Sequence, residues 1–261
     1  YVNIDYHKTI VITELGKMSN KIAKTRLFID DELKVAAVLL IDQNQGHHLV
    51  NVLRLKLTDY ITIFNGRSGE WLAEITKVGK GKAMVTVREQ IAEQTSGSDL
   101  WYIFAPLKKA RIDYMMQKAT ELGVSAICPV LTKRTNLDRL KPEKLLANVV
   151  DAAEQCGRMS IPKIDVMTPL TQLLKDWPRD RILIFCDEAG DAMAMQDLPK
   201  NNKKWAVLIG PEGGFTAEER QMIRDHENSI AVTLGPRILR ADTAAVTVIA
   251  LWQSFLGDWS K

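Results

Sequence analysis

Trp205-Ala206-Val207-Leu208-Ile209-Gly210-Pro211-Glu212-Gly213-Gly214-Phe215-Thr216-Ala217-Glu218-Glu219 decides the fold class, because it reads as three consecutive pieces. Trp205–Ile209 is apolar at every position, the pattern of a strand covered on both faces rather than one. A backbone-rich turn built on Gly210, Gly213 and Gly214 follows. Thr216 and Glu219 then stand at capping-box spacing, so a helix is expected from Ala217 to His226. A buried strand that passes through a tight turn into a helix is the repeating unit of an α/β domain with a parallel sheet.

The same alternation fills the C-terminal part of the chain. Strand-length apolar runs occur at Leu100–Ala105, Ala126–Leu131, Ile182–Cys186 and Ile230–Leu234, with helical patterns at Ile112–Leu122, Glu143–Gln155 and Thr243–Phe255. The expected α/β domain covers residues 98–261. Upstream the signals change. Arg26–Ile29, Tyr60–Phe64, Trp71–Ile75 and Ala83–Val87 are short β-rich runs, separated by the turn clusters Asn65–Gly69 and Gly79–Gly81, which suggests a small barrel over residues 18–93. One helix is expected within it, around His47–Leu55. Glu93–Ser98 is polar and small and serves as the linker. Residues 1–17 lack periodicity, Met18 opens a native-like start, and the segment reads as an extension.

The 261 residues, 46% hydrophobic and 26% charged, have ordinary globular composition. No apolar run reaches the ~18 residues that a membrane helix needs. Cys128, Cys156 and Cys186 are too scattered for a metal pair; they read as buried inert thiols and suit a reducing cytoplasm. Net charge is +3, but Trp101–Leu145 holds nine Lys or Arg (Lys108, Lys109, Arg111, Lys118, Lys133, Arg134, Arg139, Lys141 and Lys144) against four acids. Such a stripe either follows a phosphate backbone or is a solvated helix face.

Two loops carry the chemistry. Ile209–Phe215 sits beyond a strand's carboxyl end, where open α/β sheets bind ligands. It has neither the Lys-Ser/Thr of a P-loop nor G-x-G-x-x-G spacing, and the capping box already uses the helix start that phosphate would want. A loop with an acid, Glu212, and no cation suits a neutral or cationic ligand; the alternative is a tight turn with glycine at positive φ. Leu234–Ala244 repeats the arrangement, with Asp242 or Thr243 expected as helix N-cap. The helix that follows carries Ala245, Val248, Ile249, Trp252 and Phe255 on one stripe and Val246 and Leu251 elsewhere, so it packs either within the chain or against a second subunit.

Taken in order, these motifs resemble the RsmE family of bacterial 16S ribosomal RNA uridine N3-methyltransferases, of the SPOUT class. The resemblance runs from Arg26 to Leu256. It is carried by Arg26–Ile29, His48-Leu49 with Val52–Arg54, Phe64–Gly66 with Gly69–Trp71, Gln117–Val124, Glu154–Arg158 and the two loops. Where the family often has Thr-Glu after the Leu-Arg of the last loop, Ala241-Asp242 stand here, so the acid is kept but shortened.

The resemblance implies an N-terminal PUA-like barrel, a C-terminal SPOUT domain with a trefoil knot, and a homodimer. It also implies S-adenosylmethionine held by Leu208, Ile209, Gly210, Pro211, Glu212, Gly213, Gly214, Leu234, Gly235, Ile238, Leu239, Arg240, Thr243 and Ala244. The substrate would be 16S rRNA, and neither a metal nor a membrane is implied. For the chemistry, Arg240 is expected to stabilise charge on the deprotonated uridine, and Glu154 to serve as general base. RNA contacts are expected from Arg26, His48, Arg54, Lys108, Arg134 and Arg158. A non-catalytic RNA-binding assembly factor, a nucleotide hydrolase and a methyltransferase of the open Rossmann type are the rival readings.

Overall fold

The computed structural model describes residues 22–79, 82–106, 109–135, 140–187, 191–201 and 203–260. The expected extension over residues 1–17 and the RNA-contact residue Lys108 lie outside the described residues. The chain divides into two compact units between Thr95 and Ser96.

The first unit is a five-stranded sheet in the order β1-β3-β4-β5-β2, formed by β1 (Ala23–Phe28), β2 (Val38–Leu40), β3 (Tyr60–Phe64), β4 (Glu70–Gly79) and β5 (Lys82–Ala92). β1 runs parallel to β3, with Leu27 opposite Ile63; the other pairs are antiparallel. Period-two alternation sets the faces: Ala83, Val85 and Val87 are buried while Met84 and Thr86 are not. These residues, with Leu27, Ile61, Ile63, Ile75 and Leu49, make the unit's core. The helix expected at His47–Leu55 begins earlier, as α1 (Gln43–His47), and continues as a π-helical turn over His48–Val52. Asp42 explains the earlier start, since its carboxylate accepts from the Asn44 and Gln45 amides at 2.7 and 3.0 Å.

The second unit is built on a parallel sheet. Its strands are β6 (Leu100–Phe104), β7 (Ala126–Leu131), β8 (Lys163–Ile164), β9 (Thr168–Pro169), β10 (Arg181–Cys186), β11 (Met193–Ala194), β12 (Lys204–Ile209) and β13 (Ser229–Thr233). The order is β11-β13-β10-β12-β6-β7-β8, with β9 also paired to β7, and every pair is parallel. Helices cover both faces, which is why the strands read as unbroken apolar runs. On one face α2 (Lys109–Glu121), α3 (Pro142–Cys156) and α6 (Ala241–Phe255) pack on Leu100, Tyr102, Phe104 and Val207. On the other, α4 (Leu170–Lys175) and α5 (Ala217–Asp225) pack on Ile103, Leu183, Phe185 and Leu208. Of the α6 stripe, Ala245, Val248, Ile249 and Trp252 are buried, whereas Val246, Leu251 and Phe255 are half-buried.

Strand order positions the loops. β10 lies between β12 and β13, so three neighbouring parallel strands deliver their carboxyl ends to one edge. The following segments, Asp187, Gly210–Phe215 and Leu234–Arg240, therefore meet there. This is the crevice where ligands of open α/β sheets bind.

Candidate active site

A cavity of about 770 Å³ opens at that edge. Its walls are the first loop, Ile209–Phe215, and the second, Ile238–Ala241 with Ala244; its floor is Phe185, Cys186 and Asp187 at the end of β10. The volume falls within the range of cofactor pockets.

The first loop is held from several directions. The Ala105 amide donates to the Ile209 carbonyl at 3.0 Å, and the Gly214 amide to the Pro211 carbonyl at 2.8 Å. Gly214 has φ +68°, a conformation that favours glycine. Gly210 is required for a different reason: a Cβ there would lie 2.7 Å from the Phe215 ring, which meets Phe185 edge-on at a centroid distance of 5.5 Å. The expected capping box is present. Thr216 Oγ1 accepts from the Glu219 amide at 3.2 Å, and Glu219 Oε2 accepts from the Thr216 amide at 3.0 Å. Glu219 also accepts, through Oε1, from the Lys133 amide at 2.7 Å.

The second loop has fewer ties. Gly235, at φ +101°, donates to Thr233 Oγ1 at 3.2 Å, and Ile238 is 83% exposed. The helix after it does not begin where expected. Arg240 is the N-cap, with extended backbone and no side-chain cap bond, and Asp242 and Thr243 lie inside the first turn. Among the described residues, the amides of Gly210, Glu212, Gly213, Ile238 and Leu239 donate to no protein acceptor. Both walls thus present free N–H groups.

The expectation that cations are absent fits the sequence of the first loop but not the cavity. Arg111 from α2, Arg134 and Arg220 from α5 reach it from elsewhere in the chain, and Arg240 joins them. Arg111 bridges the two walls, at 2.6 Å from Glu212 and 3.7 Å from Asp242. Arg134 donates to the Gly213 and Phe215 carbonyls at 2.8 and 3.4 Å. Asp187 is buried and is gripped by Arg220 and Arg224, each at 2.6 Å. Arg240 is exposed and makes no ion pair among the described residues. Burial, with the charge of Asp187 beside it, pushes the Cys186 thiol up to about 12. Burial likewise raises the Tyr102 phenol, whose hydroxyl has no hydrogen-bond partner among the described residues; the charge of Asp242 adds to the shift.

Of the residues expected to bind a cofactor, Leu208, Leu234, Gly235 and Thr243 do not line the cavity, and the others do. Leu208 is fully buried in β12. Of the two expected catalytic residues, Arg240 lines the cavity; Glu154 lies half-buried on α3 and is not among the lining residues. The expected RNA contacts also separate. His48 and Arg54 are exposed on the first unit, and Arg134 is exposed at the cavity. Arg26 is committed inside its unit, paired with Glu70 and lying 3.7 Å over the Phe64 ring. Arg158 donates to Thr120 O and Ser160 Oγ, and burial lowers its guanidinium to about 10. Among the described residues there is no group of side chains that would hold a metal, and no helix long and apolar enough to cross a membrane.

A parallel α/β unit with a ligand cavity at its strand ends, preceded by a separate β unit, defines a class. Residues 94–253 match the RNA methyltransferase domain family, and residues 41–88 match the RNA methyltransferase PUA domain family. The ribosomal RNA small subunit methyltransferase E of Rickettsia conorii is 30% identical over 86% of this chain and 93% of its own length. That of Bacillus subtilis is 29% identical over 86% and 94%. Among solved structures, the ribosomal RNA small subunit methyltransferase E of Neisseria gonorrhoeae, bound to S-adenosyl methionine, is 29% identical with a TM-score of 0.83, covering 90% of this chain and 99% of that one. The chain belongs to the ribosomal RNA small subunit methyltransferase E family.

Proposed function

We propose that this enzyme methylates N3 of a uridine in the 16S ribosomal RNA of the small ribosomal subunit, with S-adenosylmethionine as methyl donor. The observation that carries the reading is the cavity between the two strand-end loops. It has the volume of a cofactor site, presents unengaged amides from both walls, and lacks a phosphate-binding loop. Free N–H groups at fixed positions suit the ring nitrogens and hydroxyls of a nucleoside, and Glu212 suits the ribose hydroxyls or the positive sulfur centre. The residues present fit the group.

S-adenosylmethionine bound there would supply an activated methyl group for in-line transfer. The chain's own work is positioning and charge stabilisation. Uridine N3 carries a proton, so the attacking species is the imide anion with charge spread onto O2 and O4. Arg240, exposed at the wall and without an ion pair, is free to donate to those oxygens as the charge develops. N3 lies on the Watson–Crick edge, so the target base must be unpaired or flipped out. Arg134 on the second unit, and His48 and Arg54 on the first, remain displayed for RNA.

We read the first unit as a PUA-like barrel: the irregular register of β4 against β5 at three points supplies the curvature that closure needs. We read the second unit as a trefoil knot, since β12 inserts between the earlier strands β6 and β10. The half-buried Val246 and Leu251 of α6 support a homodimer through that helix.

The test is reverse transcription of 16S rRNA from cells lacking this protein. N3-methylation blocks pairing, so one strong stop should vanish, and the purified enzyme with S-adenosylmethionine should restore it. Persistence of every stop would overturn the reading. Calorimetry with S-adenosylmethionine separates it from a pure RNA-binding factor, which has no reason to take up the donor.

A further inference from the structure

Arg220 lines the cavity, and its attachment to Asp187 leaves part of it unused. Its Nη2 lies 2.6 Å from Asp187 Oδ1 and its Nε donates to Asp187 Oδ2 at 3.2 Å, so one edge of the guanidinium is held side-on by one carboxylate. That carboxylate cannot move away easily. Its side chain is 3% exposed, Arg224 donates to it at 2.6 Å, and Arg224 is itself held by Asp191 at 2.8 Å. Among the described residues the Arg220 side chain makes no other hydrogen bond, so the two N–H groups of Nη1 remain available. A planar guanidinium fixed along one edge and open along the other is a preorganised carboxylate receptor.

The other arginines of the cavity are differently employed. Arg111 is paired with Glu212 and Asp242, Arg134 is turned onto two carbonyls, and Arg240 is exposed on the second wall. Arg220 is half-buried beside the floor formed by Cys186 and Asp187, a position for the end of a small ligand rather than for a polynucleotide backbone. S-adenosylmethionine has one anionic group, the α-carboxylate of its amino-acid end.

We propose that Arg220, oriented by Asp187, receives that α-carboxylate and so fixes the donor's amino-acid end against the β10 side of the cavity. The inference rests on the cofactor reading above and adds which group of the donor meets which residue.

Three ligands separate the possibilities in calorimetry: S-adenosylhomocysteine, its decarboxylated analogue, and 5′-methylthioadenosine, which lacks the whole amino-acid end. In the unaltered enzyme the decarboxylated analogue should bind ~10- to 100-fold more weakly than S-adenosylhomocysteine, the range for losing a charge-assisted hydrogen bond. Arg220→Gln should weaken S-adenosylhomocysteine by the same factor, leave 5′-methylthioadenosine unchanged, and abolish the preference between the first two; Arg220→Lys should recover part of the loss. The unchanged ligand also reports that the variant's cavity is intact. Equal weakening of all three ligands, or no weakening of any, overturns the proposal. So does a variant that loses affinity for RNA alone, which would make the anion a phosphate. If the unaltered enzyme binds none of the three, the cofactor reading itself has failed. If it binds all three alike, only the carboxylate seat has failed.

Discussion

The two walls of the cavity follow the same plan, a strand end turning into a helix, yet they are held very differently. The Gly210–Phe215 wall is fastened by a capping box, by Arg134 on two carbonyls, by Phe215 against Phe185, and by Glu219 reaching the Lys133 amide. The Leu234–Arg240 wall has an amide-to-threonine bond, a helix without a side-chain cap, and an isoleucine almost wholly in solvent. A wall fixed on one side and loosely tied on the other keeps a ligand's seat constant while leaving the opposite face free to adapt to RNA. Few tertiary ties mean a low cost of local rearrangement. Substitutions in the first wall should therefore register in stability, and substitutions in the second in turnover.

Arg240→Ala gives the largest expected effect and tests the second wall. Removing a donor aimed at developing charge lowers turnover ~10²- to 10³-fold, with a much smaller change in donor affinity and in melting temperature. Comparable losses in turnover and in donor binding would make Arg240 a cofactor ligand and blur the contrast between the walls.

Glu219→Ala tests the first wall from below. It leaves the Thr216 and Lys133 amides without their acceptor and should cost about 2–3 kcal/mol in denaturant unfolding of the second unit. Glu219→Gln retains one acceptor oxygen and should cost less. Gly210→Ala tests the wall from its face. The added methyl displaces the Phe215 ring from Phe185, at a cost of about 1–2 kcal/mol, and should weaken donor binding because Phe215 lines the cavity. If Gly210→Ala melted like the unaltered protein, the first wall would be no more rigid than the second.

The held wall was the legible one. Trp205–Glu219 displayed strand, turn and cap within a single short stretch, and local hydrogen bonds are what local sequence encodes. The starts of α1 and α6 were misplaced because the deciding residues are unremarkable in sequence: Asp42 precedes a helix with little apolar pattern, and Arg240 caps without using its side chain. Of the cavity's cations, only Arg240 was legible from the loops. Arg111, Arg134 and Arg220 come from segments remote from one another in the chain, and only the strand order brings them together. One signal was available: Asp187 is an acid directly after an apolar strand, the position where α/β sheets place functional groups. Glu154, read from a motif, lies half-buried on α3 and outside the cavity lining.

Cys186 offers the finest probe of the difference, because its thiol lies on the cavity floor and its ionisation is suppressed. Its folded value, pushed up to about 12 by burial, stands above the 9.0 of an ordinary thiol. Between these values the unfolded chain releases a proton that the folded chain keeps, so this thiol's contribution to stability is lost as pH rises from about 9 toward 12. At pH 9 that loss stays below about 1 kcal/mol, but the reactive thiolate is scarcer in the folded state by a factor on the order of 10²–10³. Iodoacetamide at pH 9, followed by peptide mapping, should therefore leave Cys186 unlabelled in the native enzyme and label it readily in urea. Gly210→Ala, which loosens the ring packed over the floor, should speed native labelling. Gly235→Ala, on the wall with few ties, should leave it unchanged. Equal acceleration by both substitutions would mean that the floor opens whichever wall is disturbed, and the two walls would then be one cooperative structure.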